Sequence, residues 1–326
     1  MKKYLALLLA LVMVFALCAC GSKEAAPAGS DDAAAPAAGG ELTFATGGES
    51  GTYYAFGTVL AQHVSDKTDT KVTAVVGNGS QANVEDLANG DAQLAFCQSD
   101  VAAYAYNGTN LFEESGAVKD FSVVAALYME QVQIVTLDES IKTVADLKGK
   151  NVSIGAVGSG TYFNALDLLG VYGLTEADIV PVYQSFADSA DSLKDGKIDA
   201  AFIVAGAPTT AITDLATGGK QVYLVGLDDE HVSALMESSP YYAKNVISAD
   251  TYGLPEDVTT VAVGALVLAR NDVADADVYN FVSSIFDNID EVTQAHAKGA
   301  ELDPAFAFSV EGIPYHPGAV QYFEGK

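Results

Sequence analysis

Two stretches decide the fold: LTFATGGESGTYYAFGTVLAQHV at residues 42–64 and NVSIGAVGSGTYFNALDLLGVYG at residues 151–173. Each opens on a short apolar run that predicts a strand, turns on glycines and continues as an amphipathic segment. In the first, Tyr53, Phe56, Val59, Leu60 and Val64 recur at spacings of three and four, the period of a helix face. Both turns carry the same tetrad, Ser50-Gly51-Thr52-Tyr53 and Ser159-Gly160-Thr161-Tyr162. A strand, a glycine turn and a helix form the unit from which parallel sheets are wound. Its double appearance predicts two halves built on one plan.

Working outward, KVTAVVGN (71–78) predicts a strand, NVEDLANGD (83–91) a short helix stopping at Gly90, AQLAFCQ (92–98) a strand, and DVAAYAYNG the start of another helix. The second half repeats the theme with strands DIVPVYQS (178–185) and IDAAFIVAG (198–206), a helix over ADSLKDG (190–196), a helix through Leu215 and a strand QVYLVGL (221–227). Between the halves, FSVVAALYMEQVQIVTLD (121–138) is long and β-branched and predicts a strand that runs on through a bend. Late in the chain, VTTVAVGALVLAR (258–270) predicts a strand and VYNFVSSIFDNI (278–289) a helix that returns to the first half. The expected architecture is α/β with two lobes, each a mostly parallel sheet flanked by helices, and a ligand cleft between them. Lobe I is expected over 41–135 plus 258–326 and lobe II over 136–257, with hinges near 128–142 and 250–262.

The chain has 326 residues, half of them hydrophobic, enough for a sizeable core. It carries 16 Lys and Arg against 43 Asp and Glu, a net charge of −27. That balance excludes a general nucleic-acid binder, which needs clustered cations to neutralise phosphate, and argues against docking on anionic lipid through a basic patch. Arg270 is the only arginine, so a bidentate clamp on a ligand carboxylate has one candidate. Three Cys and four scattered His leave no metal cluster and no disulfide framework, and no cofactor is expected.

The first twenty residues read as an address. Lys2 and Lys3 precede an apolar stretch from Tyr4 to Leu17, shorter than a membrane span and right for a signal peptide over residues 1–19. Leu17-Cys18-Ala19-Cys20 followed by Gly21 resembles a bacterial lipoprotein box, which makes Cys20 the expected lipid-bearing residue. Residues 20–40 are rich in Ala, Gly, Pro and Ser and read as a flexible tether. A lipid, a tether and a globular body place the protein outside the cytoplasm, on the outer face of the cell membrane.

The glycine turns carry the expected chemistry. The first amides of a helix lack internal partners, and the helix dipole favours an anion there. Ser50, Gly51, Thr52 and Tyr53 form one such edge, with Tyr54 as a wall, and Ser159, Gly160, Thr161 and Tyr162 mirror it. Two such edges across a cleft can hold the carboxylates of one small ligand without an arginine. Ser80 and Asn83 follow the second strand and are candidate donors; Gln98 follows the third and can both donate and accept. Asp100 is a candidate partner for an α-amino group, or a helix cap. Gln184 and Ser185 end one strand of the second half, and Ala205 and Gly206 end another. His316 reads as a surface or packing residue, and Cys97 as a buried small one.

With these motifs in hand, the sequence resembles the TAXI family, the extracytoplasmic solute-binding proteins of a subclass of TRAP transporters. The matching stretches are TGGESGTYYAFG (46–57), NGSQANVEDLANGDAQLAFCQSDVA (78–102), SIKTVADLKGKNVSIGAVGSGTYFNA (140–165), GKIDAAFIVAGAP (196–208) and IPYHPGAVQYF (313–323). The resemblance implies a periplasmic-binding-protein fold of type II, no catalysis, a glutamate-like or other small carboxylate ligand, delivery to a TRAP-type membrane permease, and a monomer. The dicarboxylate-binding class of the wider group fixes its substrate with an arginine that has no counterpart here. Two rivals stand beside this reading. A sensing lipoprotein would dock on a receptor kinase. A surface hydrolase would need a GxSxG elbow or an HExxH motif, and the sequence has neither.

Overall fold

In the computed structural model, which describes residues 39–325, the chain begins with β1 (Glu41–Ala45), α1 (Thr52–Lys67), β2 (Lys71–Val75), α2 (Ser80–Asn89), β3 (Leu94–Gln98) and α3 (Ser99–Asn107). The signal segment, Cys20 and nearly all of the tether lie outside the described residues. A long strand, β4 (Phe121–Thr136), then leads into the second lobe: β5 (Asn151–Ser153), α4 (Gly160–Val171), β6 (Val180–Val182), α5 (Phe186–Lys194), β7 (Ala200–Ala205), α6 (Thr210–Ala216), β8 (Tyr223–Leu224), α7 (Asp229–Ser238) and β9 (Ala243–Ile247). A second long strand, β10 (Val258–Arg270), leads back to α8 (Asp275–Phe286), α9 (Ile289–Ala295), α10 (Pro304–Ala307) and α11 (Pro317–Glu324).

The strands join in the order β2-β1-β3-β10-β4-β7-β5-β6, with β8 on β4 and β9 on β10. Each lobe owns a parallel trio, β2-β1-β3 in one and β7-β5-β6 in the other. The antiparallel pairings all involve β4 and β10, the two strands that pass between the lobes. β10 pairs with β9 over 258–262 and with β3 over 265–269, so its change of partner falls at the end of the expected 250–262 window and just beyond it. β4 changes partner at Gln131, which pairs with both Ala262 of β10 and Ala205 of β7. Two register shifts in the β4–β10 ladder leave Leu127 and Val124 as extra residues on β4, and such bulges bend a strand and raise its twist.

The apolar periodicity is spent on both sheet faces. Tyr53, Phe56, Leu60 and Val64 of α1 pack with α8 on one face of the first lobe, where Phe96 stacks on Phe44 at 4.9 Å and on Tyr53 at 4.5 Å. Val84 and Leu87 of α2 and Val101 of α3 cover the other face. In the second lobe, Leu168 of α4 and Leu235 of α7 lie on one face, and Leu193 of α5 and Ile212 of α6 on the other. Helix α2 starts at Ser80, three residues before the apolar pattern. The expected strand 221–227 shrinks to β8, and the polar edge strand β9 has too little burial to announce itself. Among the described residues, no helix is long and apolar enough to cross a membrane.

Candidate functional site

Five helices, three from the first lobe and two from the second, begin at one cavity of about 210 Å³. Their N-cap residues all line it: Gly51 of α1, Gly79 of α2, Gln98 of α3, Ser159 of α4 and Ser185 of α5. Because strands of both trios end on this side, these five strand-to-helix turns bring first-turn amides and the positive ends of helix dipoles to the same space. The closeness of the lobes explains two glycines. Gly79 has φ 106°, and a methyl group on it would press on Ser159 across the cleft. A methyl on Gly160 would overlap the carboxamide oxygen of Gln98 and crowd Ser80.

Polar side chains complete the wall. Thr52 donates its hydroxyl to the Gly206 carbonyl at 2.9 Å, tying α1 to the end of β7. Ser80 Oγ accepts the Gln98 amide at 3.0 Å. Gln98 Oε1 and Ser159 Oγ are buried at the cavity and have no hydrogen-bond partner, although both are good hydrogen-bonding groups. Tyr53 donates its hydroxyl to Glu130 Oε2 at 2.6 Å, and Glu130, on β4, faces the cavity at 2 % exposure. Burial pushes the Glu130 carboxyl up to about 8; Asp100 adds to the shift, while the Tyr53 bond and the charge of Lys298 oppose it. Burial, helped by Glu130, also raises the Tyr53 hydroxyl far above the usual tyrosine range. At neutral pH the Glu130 carboxyl therefore keeps its proton.

The wall carries no Lys, Arg or His. Lys298 stands behind it, 4 % exposed: a methyl on Gly206 would overlap the Lys298 side chain, whose ammonium pairs with Glu301 at 2.5 Å. Arg270 lies at the far end of β10, paired with Asp272 at 2.8 Å. The donors that the wall offers an anion are thus peptide amides and hydroxyls rather than cationic side chains. Among the described residues, no group of three or more His, Cys, Asp or Glu is placed to hold a metal ion.

Of the residues singled out from the sequence, Gly51, Thr52, Tyr53, Ser80, Gln98, Ser159, Gly160, Thr161, Ser185 and Ala205 line the cavity together. The others stand off its wall. Ser50 accepts the Ala211 amide through its carbonyl at 3.3 Å. Tyr54 is half-buried on the next position of α1. Asn83 is fully buried and donates to the Thr46 and Phe96 carbonyls at 2.7 and 2.8 Å, holding the loop after β1 against the end of β3. Tyr162 donates to Glu176 at 2.9 Å, Gln184 reaches Ser189 at 3.4 Å, and Gly206 takes part through the carbonyl that Thr52 grips. Asp100 is buried outside the cavity, bonded to Asn164, and His316 and Cys97 are buried. Sequence reading missed Glu130, Phe186 and the glycines at 47, 48, 77 and 79. Glu130 did leave a signal, as the single charged residue in the sixteen of β4.

The fold is similar to those of solved structures. A protein from Bordetella bronchiseptica is 16% identical with a TM-score of 0.50, over 87% of this chain and 88% of its own. The periplasmic aliphatic sulphonate binding protein SsuA from Escherichia coli is 21% identical with a TM-score of 0.46, over 81% and 79%. A Salmonella typhimurium periplasmic binding protein described as having high arginine specificity is 16% identical with a TM-score of 0.48, over 79% and 98%. At these identities the likeness to the first is one of fold. Residues 44–326 match the NMT1-like family, and to that family the chain belongs.

Proposed function

We propose that this protein is an extracytoplasmic solute-binding protein, anchored through Cys20, that captures a small carboxylate in the interlobe cavity and delivers it to a TRAP-type membrane permease. The observation that carries the reading is the convergence of five helix N-termini, from both lobes, on one cavity whose wall has no cationic side chain. Carboxylate oxygens are the natural complement to such a ring of donors. Gln98 Oε1, without a partner, and the Glu130 carboxyl add acceptors to the same wall, which favours a glutamate-like amino acid over a plain organic acid. The lobes, 41–135 with 258–326 and 136–257, close on the ligand by bending at β4 and β10, and the closed form is what the permease recognises.

A thermal-shift screen of the purified protein against amino acids, dicarboxylates and keto acids tests this. A ligand that binds only the folded state stabilises it by about 2.7 kcal/mol at a hundredfold excess over Kd. A clear shift with one small-carboxylate class is expected, strongly reduced in a Thr52→Ala/Thr161→Ala variant. A ligand-free protein that responds to none of them would sink the small-carboxylate reading.

A further inference from the structure

Beside the cavity, and outside its wall, a second polar cluster joins the two lobes. Asp100, in the first turn of α3, is fully buried. Asn164 of α4, equally buried, donates from Nδ2 to Asp100 Oδ2 at 2.9 Å and to the Tyr242 hydroxyl oxygen at 2.7 Å. That hydroxyl donates in turn to Asp167 Oδ2 at 2.8 Å. Two atoms are left over: Asp100 Oδ1 and Asn164 Oδ1 are buried and have no hydrogen-bond partner. With Asp100 ionised, both are acceptors, and neither can donate to the other.

The surroundings offer no counter-charge. The titratable groups facing Asp100 are Asp167 from α4, Tyr104 on its own helix, Tyr241 and Tyr242 ahead of β9, Cys97 on β3 and Glu130 on β4. On α2, Asp86 couples to Glu85 and to Asp91. β10 packs on α3 through the Gly264 amide to Ser99 Oγ, and its one ionisable residue, Arg270, is paired with Asp272.

We propose that Asp100 and Asn164 form a proton-dependent clasp between the lobes: on closure Asp100 carries a proton taken from solvent and donates it from Oδ1 to Asn164 Oδ1. The clasp rests on the reading above that the lobes open and close. One proton removes the buried charge and satisfies both orphaned atoms, leaving acid and amide paired through two hydrogen bonds. Burial supports the assignment by raising the Asp100 carboxyl to about 7, against the weaker pull of the Val101 amide and the Asn164 bond. The sign follows from linkage. A carboxyl that holds its proton more tightly in the closed form makes closure take up a proton. The closed form is then favoured in acid, and the advantage is lost as pH rises from the ordinary 3.8 to about 7.

The test needs no ligand. Spin labels on Glu85→Cys and Val157→Cys, both exposed and on facing lobes, report the interlobe distance in the full-length chain between about pH 4.5 and about pH 8. The expected result is one short distance in acid and a growing longer population as pH rises. Asp100→Asn imitates the protonated acid and should remove a large part of that response. The remainder belongs to Glu130 and should vanish in Asp100→Asn/Glu130→Gln. Asn164→Asp sets two carboxylates against each other and should open the protein further at about pH 8. An unchanged pH response in Asp100→Asn overturns the clasp. If Asn164→Asp opens while the unsubstituted chain ignores pH, the clasp fails and the hinge reading survives. If neither ever opens, both fail together.

Discussion

At the scale of single residues, Glu130 carries the sharpest consequence. It faces a cavity ringed by amide donors, yet burial keeps its carboxyl protonated up to about 8. A ligand ammonium placed against it would favour the carboxylate, so binding an amino acid must expel the proton. Affinity for amino acids should therefore rise with pH up to about 8 and level off above it. A carboxylate ligand without an ammonium would instead accept a hydrogen bond from the protonated acid, so its affinity should hold up to about 8 and fall above it. Glu130→Gln, neutral at every pH, is expected to lower amino-acid affinity about 10- to 100-fold, the worth of one charge-assisted hydrogen bond, and to flatten the pH profile. Titration calorimetry in two buffers of different ionisation enthalpy reads the expelled proton directly. Equal apparent enthalpies in the two buffers would remove Glu130 from ligand recognition.

At the scale of elements, the two SGTY tetrads were legible because helix-start chemistry is local: glycine, then hydroxyl, then an apolar period, all within a few residues. In the fold Thr52 and Thr161 line one cavity from the two lobes. Helix α2 begins three residues ahead of its apolar pattern, since Ser80, Gln81 and Ala82 carry no apolar signal, and its first turn is fixed instead by Gly79 and by Ser80 meeting the Gln98 amide. Asn83 looks like a donor in the sequence, yet it is spent inside the lobe, because only the folded chain sets the Thr46 and Phe96 carbonyls on either side of it. The crossing of β4 near 128–142 is expected from the sequence, but that it sets Glu130 against the cavity is a long-range fact that no local window contains. The start of α4 gives a direct check on the close approach of the elements. Gly160→Ala should leave far-UV circular dichroism unchanged but force Gln98 away, cutting the ligand-induced rise in melting temperature by more than half. A full rise in that variant would show that the cavity does not need α4 so near β3.

At the scale of the whole molecule, two forces act on stability with the same sign, and salt separates them. The net charge of −27 makes the folded chain repel itself as carboxylates ionise, and that repulsion is screened by added salt. The buried carboxyls Asp100 and Glu130 act independently of salt. Burial raises both, to about 7 and about 8, so between the ordinary carboxyl range and those values the folded protein holds protons that the unfolded chain releases. Their contribution is fully present in acid and is lost as pH rises through that window. At the opposite limit, Asp178 and Asp228 are held down to about 2, the first by Lys148 with the Thr175 amide, the second by the His231 amide and ring, so their contribution is lost only in strong acid. Maximum stability should therefore lie in mild acid, near about pH 5, and melting temperature should fall by several degrees toward about pH 8. In about 0.5 M salt the fall should shrink but persist, because buried groups are poorly screened. Asp100→Asn/Glu130→Gln should keep the salt-sensitive part of the fall and lose the rest. If high salt alone abolishes the pH dependence of the unsubstituted protein, surface repulsion accounts for all of it, and the two buried acids ionise in place without cost to the fold.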